Sequence, residues 1–222
     1  MIDINACIEK LPYWDKLTAE ERDFVRSRSA IRQYKRGQNM HSQDSACLGM
    51  ILVLEGEARA YILSEEGREI TLFRLHAGEP CVLSASCVIS RLTFDTHIVA
   101  ETGCTVLVIG PDAFSSLTDR NIYVRCFMYE LATEHFSAVM ASMQQILFMR
   151  YDRRLAMFLL EEHERTNSRE IRMTHERIAQ NTSSAREVVA RTLKRFSTQG
   201  FVELRRGSIM LKDIGGLKKI VS

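Results

Sequence analysis

A chain of 222 residues with 45% hydrophobic content can bury a substantial core and has room for two domains. Its net charge is only +2, but residues 171–222 hold 11 Lys and Arg against 4 Asp and Glu, a balance of +7, while residues 1–170 hold 19 against 24, a balance of −5. A local excess of cations is what a phosphate backbone attracts, although a solvated basic face carries the same charges. No run approaches the roughly 18 apolar residues of a membrane helix, and Met1–Lys10 lacks a basic region followed by an apolar one, so a cytoplasmic protein with no membrane partner is expected. The six cysteines (Cys7, Cys47, Cys81, Cys87, Cys104 and Cys126) are too sparse for a disulfide scaffold, and reduced thiols are the expectation.

In chain order, Thr18 is placed to cap a short amphipathic helix carrying Phe24 and Val25, with Leu17 just ahead of it. From Lys35 to Pro111 the pattern turns to short β-type runs, among them Met50–Leu54, Ala58–Leu63, Ile70–Leu75 and Thr105–Ile109. Glycines punctuate them, and Glu65-Glu66-Gly67 reads as a hairpin turn. Short, evenly spaced strands predict a closed β-sandwich or barrel over 1–118.

After Asp119 neither Gly nor Pro occurs until Gly200. Ala132, Phe136, Val139, Met143 and Ile146 recur at spacings of four and three, which predicts a long helix over 119–149 with coiled-coil spacing. A small barrel cannot cover such a stripe along its length, so a second copy of the chain is the expected partner, with packing inside the chain as the alternative. A further module, 150–222, follows with the apolar segment Leu155–Leu160.

In that module Thr174 caps a helix through Ile178 and Ala179, and Asn181–Ser183 forms a polar break. Ser184 then begins a second helix, with Ser184-Ala185-Arg186-Glu187 as its capping box. Val189, Leu193 and Phe196 share one side of it, whereas Arg186, Glu187 and Arg191 project elsewhere. Two short helices joined by a tight turn, between Thr174 and Arg195, make a helix-turn-helix. Arginine near the start of a recognition helix grips guanine bidentately and glutamate accepts from the cytosine amino group. Gly200–Leu204 and Ser208–Leu211 read as strands flanking Arg205-Arg206-Gly207, a wing tip whose arginines face phosphate.

Two stretches, ILVLEGEARAYILSEEGREITLFRLHAGE from Ile51 to Glu79 and THERIAQNTSSAREVVARTLK from Thr174 to Lys194, closely resemble the Crp/Fnr family of cyclic-AMP receptor and fumarate-nitrate regulators, in family order and over nearly the whole chain. The resemblance implies an α+β fold: an N-terminal double-stranded β-helix (a cyclic-nucleotide-binding-like jelly roll), a long dimerisation helix and a C-terminal winged helix-turn-helix. It also implies a one-component transcription regulator with double-stranded DNA, a second copy of itself and, for an activator, RNA polymerase as partners. Arg186, Glu187 and Arg191 fall at the base-reading positions of the cyclic-AMP receptor type, which implies TGTGA-like half-sites. One departure is Ser183, which stands where the family's turn usually has Gly.

The same resemblance locates an effector pocket at Cys81, Val82, Leu83, Ser84, Phe94, Asp95, Val139, Met140 and Met143. Val82-Leu83-Ser84 replace the family's Gly-Glu-Leu segment, Phe94-Asp95 replace its Arg-Ser pair, and Val139 and Met140 replace hydroxyls that meet adenine. A phosphate would then face a phenyl ring and a carboxylate, so no cyclic-AMP response is expected and the effector is of another kind. Only Cys7 lies in the N-terminal region where iron-sulfur members group their cysteines, so no cluster is expected. Cys81 and Cys87 bracket CVLSASC, where haem-containing carbon monoxide sensors place ligands; two core thiols, haem ligation with His76 nearby, or thiol redox sensing all stay open.

A metal enzyme on a cupin-like barrel needs converging histidines, and His41, His76 and His97 show no His-x-His spacing. Without a phosphate loop, nucleophile elbow or His-Glu-x-x-His helix, no enzymatic activity is expected. An RNA-binding or protein-docking winged helix is the other alternative.

Overall fold

The computed structural model describes residues 3–42, 47–65, 67, 69–85 and 96–221. The chain divides into two compact units, Met1–Leu63 with Leu72–Met140 and Ser64–Thr71 with Ala141–Ser222.

The first unit opens with α1 (Ile4–Ile8), a single 3-10 turn at Trp14–Lys16 and α2 (Ala19–Arg28). Thr18 caps α2 as its sequence predicts: its hydroxyl accepts from the Glu21 N–H at 3.2 Å while the Glu21 carboxylate accepts from the Thr18 N–H at 2.8 Å. The strands follow as β1 (Ser29–Tyr34), β2 (Asn39–His41), β3 (Met50–Glu55), β4 (Ala58–Leu63), β5 (Glu69–Leu75), β6 (Pro80–Cys81), β7 (His97–Ala100) and β8 (Cys104–Ile109). Two four-stranded sheets, ordered β1-β8-β3-β6 and β2-β7-β4-β5, form the roll.

One core fills the roll, with Met40, Ile51, Val53, Ala58, Ala60, Leu75, Ile98 and Val106 among its members. The opposite face of β3 and β8, through Met50, Leu52, Leu107 and Ile109, packs against the helices in a second core. Strands buried on both faces lose the alternating pattern of a half-exposed sheet, which explains the continuous apolar runs MILVLE and CTVLVI. Gly49 and Gly56 are required where the backbone closes on itself: both have φ above +80°, and a Cβ would collide with the Ile109 carbonyl at one and the Gly103 carbonyl at the other.

The long helix predicted over 119–149 is α4 (Ile122–Phe148), and a short helix, α3 (Pro111–Arg120), precedes it, separated from it by Asn121. The Asn121 side chain accepts from the N–H groups of Tyr123 and Val124, so it caps the start of α4. α4 buries Val124, Met128, Leu131 and His135. Its exposed apolar stripe runs Tyr129, Phe136, Met140, Met143 and Leu147, at spacings of seven, four, three and four. The predicted seam lies beside this stripe on the same side of the helix: Phe136 and Met143 are exposed, whereas Ala132, Val139 and Ile146 are partly buried. A helix apolar on both sides offers two overlapping heptad registers, and periodicity alone does not separate them.

The second unit builds a core from α5 (Tyr151–Thr166), β9 (Glu170–Ile171), α6 (His175–Asn181), α7 (Arg186–Thr198), β10 (Val202–Arg205), β11 (Ser208–Leu211) and α8 (Ile214–Val221). Leu155, Leu159, Ile178, Val189, Leu193, Phe196 and Leu217 are among its fully buried members. The strands form one antiparallel sheet, β10-β11-β9. Among the described residues no helix is long and apolar enough to cross a membrane, and no three His, Cys, Asp or Glu side chains gather as metal ligands.

Candidate nucleic-acid interface

The polar and apolar positions of THERIAQNTSSAREVVARTLK dictate two helices with one shared core. Ile178 and Ala179 of α6 and Val189, Leu193 and Phe196 of α7 point into it. Thr174 caps α6, its hydroxyl accepting from the Arg177 N–H at 3.2 Å. Ser183 turns the chain in the left-handed region, at φ 49°, and is buried. A glycine would adopt that conformation without the steric cost a Cβ brings.

The predicted capping box at Ser184 does not form. Ala185 is the N-cap of α7 and gives no side-chain cap. The turn at Ser183 directs Ser184 back to α6, where its N–H donates to the Ala179 carbonyl at 2.9 Å, and its hydroxyl bonds Tyr151. Ser184 is therefore part of the turn's internal bonding, and the first N–H groups of α7 are left without a side-chain cap.

Arg186, Glu187 and Arg191 are all exposed on the first two turns of α7, Glu187 and Arg191 opposite its buried face and Arg186 at the helix start. None of the three makes an ion pair among the described residues, whereas Arg195, one turn later, is paired with Asp152 at the start of α5. The wing forms where predicted, with Val202–Arg205 and Ser208–Leu211 in antiparallel register around Arg206-Gly207. Its two arginines differ: Arg205 Nε donates to Glu203 at 2.8 Å, which also holds Lys212, while Arg206 is exposed at the tip. Those bonds from Arg205 and Lys212 hold the Glu203 carboxyl below its ordinary range.

The segment named as an effector pocket is packed into the roll. Cys81, Val82, Leu83 and Ser84 are buried, and Leu83–Ala85 form a 3-10 turn. The Ser84 hydroxyl donates to the Gly49 carbonyl at 2.7 Å, so it supports the fold and is not displayed to a ligand. Phe94, Asp95 and Cys87 lie outside the described residues. Val139 is partly buried, while Met140 and Met143 lie on the exposed stripe of α4. Burial pushes the Cys81 thiol up to about 11, which keeps the free thiol protonated and a poor partner in thiol exchange at neutral pH. Cys7, Cys81, Cys104 and Cys126 are free, whereas Cys47 is disulfide-bonded, so the expectation of six reduced thiols does not hold.

A crystal structure of a protein from Eubacterium rectale assigned to the Crp/Fnr family of transcriptional regulators matches this chain at 35% identity and a TM-score of 0.93, covering 96% of this chain and 99% of that one. The chain belongs to the Crp/Fnr family. Two family models agree, a cyclic nucleotide-binding domain over residues 31–121 and a Crp-like helix-turn-helix domain over residues 153–220. The fold is shared with the c-di-GMP responsive global regulator CLP of Xanthomonas campestris (15% identity, TM-score 0.72, 88% of this chain and 100% of that one). It is shared as well with a CooA mutant of Carboxydothermus hydrogenoformans (21% identity, TM-score 0.62, 88% and 89%). Curated protein sequences give no match.

This Crp/Fnr protein is thus a DNA-binding transcription regulator with a winged helix-turn-helix. Within that frame, sequence reading missed the residues that hold the turn and α7 in place: Tyr151 and Asp152 at the head of α5. Tyr151 reaches Thr182, 31 positions along the chain, and no periodicity signals a pair at that separation.

Proposed function

We propose that this Crp/Fnr regulator works in the cytoplasm as a homodimer, without catalytic activity, and binds a palindromic operator with TGTGA-like half-sites. The observation that carries the reading is the set of uncommitted charges on α7. Arg186, Glu187 and Arg191 are exposed, unpaired among the described residues and carried by a helix whose other face is locked into a core. A side chain already spent on an internal ion pair would have to break it to meet a base edge. The exposed stripe of α4 supports the dimer, since Phe136 is 63% and Leu147 67% exposed in a single chain, which is costly for side chains of that size.

The effector is a molecule other than cyclic AMP. Val82, Leu83 and Ser84 present neither a cation nor a free hydroxyl, and burying a phosphate among them would leave its charge uncompensated. Thiol redox chemistry at Cys81 loses support from its buried, protonated thiol. Recruitment of RNA polymerase follows for an activator.

Electrophoretic shifts of a duplex recovered by selection test this reading. The wild-type complex carries two chains per duplex and weakens steeply with salt. The Arg186→Ala/Arg191→Ala variant keeps its dimer mass and loses at least a hundredfold in affinity. Undiminished binding by that variant contradicts the assignment of α7.

A further inference from the structure

The helix-turn-helix is bonded to the end of α4 by a short chain of polar contacts, all within residues 141–222. Past Gln145, whose carbonyl accepts from the Met149 N–H at 3.1 Å, the last carbonyls of α4 have no partners in their own helix. Arg154, on the first turn of α5, supplies one: its Nη1 lies 3.3 Å from the Gln145 carbonyl, 3.1 Å from that of Ile146 and 3.1 Å from that of Met149. A guanidinium there also meets the negative end of the helix dipole. The same guanidinium lies over the Tyr151 ring, 5.3 Å from its centroid.

Tyr151 then continues the chain. Its hydroxyl is 3.0 Å from Thr182 Oγ1, at the turn between α6 and α7. Thr182 donates its one hydroxyl proton to the Ile178 carbonyl at 2.7 Å, which leaves the tyrosine as donor in the Tyr151–Thr182 bond. The Tyr151 oxygen is free to accept from Ser184, the other residue of the turn that bonds it. At its far end α7 is held by the same stretch of α5, through the Arg195–Asp152 pair.

We propose that Tyr151 and Arg154 are positioning residues that fix the recognition helix to the C-terminal turn of α4, so that the spacing of recognition helices in the dimer is set by α4 itself. The operator consequence rests on the DNA-binding homodimer proposed above; the lock itself does not. Because one hydroxyl and one guanidinium carry the link, small changes test it without removing core volume.

The experiment is amide hydrogen exchange on the full chain, with Tyr151→Phe, Thr182→Val and Thr182→Ser beside wild type. Tyr151→Phe and Thr182→Val raise exchange at least fivefold in two separate places, the turn at 179–187 and the end of α4 at 144–150, and leave the core of α5 at 155–160 unchanged. Thr182→Ser, which keeps the hydroxyl, behaves as wild type. Acceleration confined to 179–187, or absent, overturns the lock. On duplexes whose half-sites are one base pair closer or further apart, Tyr151→Phe loses at least threefold of the wild-type discrimination, and unchanged discrimination in a variant with raised exchange overturns the positioning role. Failure of wild type to select any duplex counts against the DNA reading alone, since the exchange result still decides the lock.

Discussion

The imidazole of His135 stacks face to face on Phe73, with ring centroids 4.5 Å apart and planes inclined by 9°. His135 is buried on the inner face of α4, hydrogen-bonded to the main chain of Pro80, and its Nδ1 has no partner among the described residues. Burial pushes its pKa down from 6.5 to about 4, against the smaller opposing effect of the Pro80 bond. The folded state therefore holds a neutral ring where the unfolded chain takes up a proton. Stability is fully present above about pH 6.5 and is lost as pH falls towards 4, by about 2 to 3 kcal/mol. Urea unfolding at pH 7 and pH 4.5 measures the loss. His135→Gln removes most of it, and the residue left includes His41, which burial and the nearby His97 shift in the same direction.

Ser183 holds a left-handed conformation at the turn before α7. A branched side chain there adds steric cost, so Ser183→Val lowers unfolding stability by about 1 to 2 kcal/mol relative to Ser183→Gly. Urea midpoints of the two variants check the difference, and equal midpoints count against strain at the turn.

The wing separates two arginines of equal charge. Arg205 is already held by Glu203, whereas Arg206 stands exposed at the tip. Arg206→Ala reduces the slope of log affinity against log salt by about 1 and weakens all sequences alike. Arg205→Ala changes the slope by less, because Glu203 neutralises that charge before DNA arrives.

The stripe on α4 gives a separate test of assembly. Phe136→Glu places a carboxylate where the account buries a phenyl ring between two copies, and the result is a monomer by sedimentation equilibrium at micromolar concentration. Val124→Ala, on the inner face, lowers stability by about 1 to 2 kcal/mol and leaves the dimer in place.

Much of this fold was legible because local rules and tertiary context agree. The runs at Met50, Ala58, Ile70 and Thr105 became β3, β4, β5 and β8 within a residue or so of their predicted limits. Thr18 and Thr174 cap the helices they announce, since capping is settled within three residues. β1 was invisible: SAIRQY is largely polar, and it is a strand because Ser29–Tyr34 pairs along β8. Ser184 failed as a cap for a related reason, since a bond to distant Tyr151 claims the hydroxyl. At the interface, exposure of Arg186, Glu187 and Arg191 followed from helical spacing, while the engagement of Arg205 with Glu203 depends on strand geometry two residues apart, with side chains on one face.

Selection from a pool of randomised duplexes, with the purified full chain at physiological salt, tests the central claim most directly. The expected result is an inverted repeat of TGTGA-like half-sites with centres about one helical turn apart, and relaxed selection at one base pair per half-site when Glu187 is replaced by Ala, a loss of about 1 to 3 kcal/mol. No enriched sequence, an unpaired half-site, or a Glu187→Ala variant that selects the wild-type repeat would contradict it.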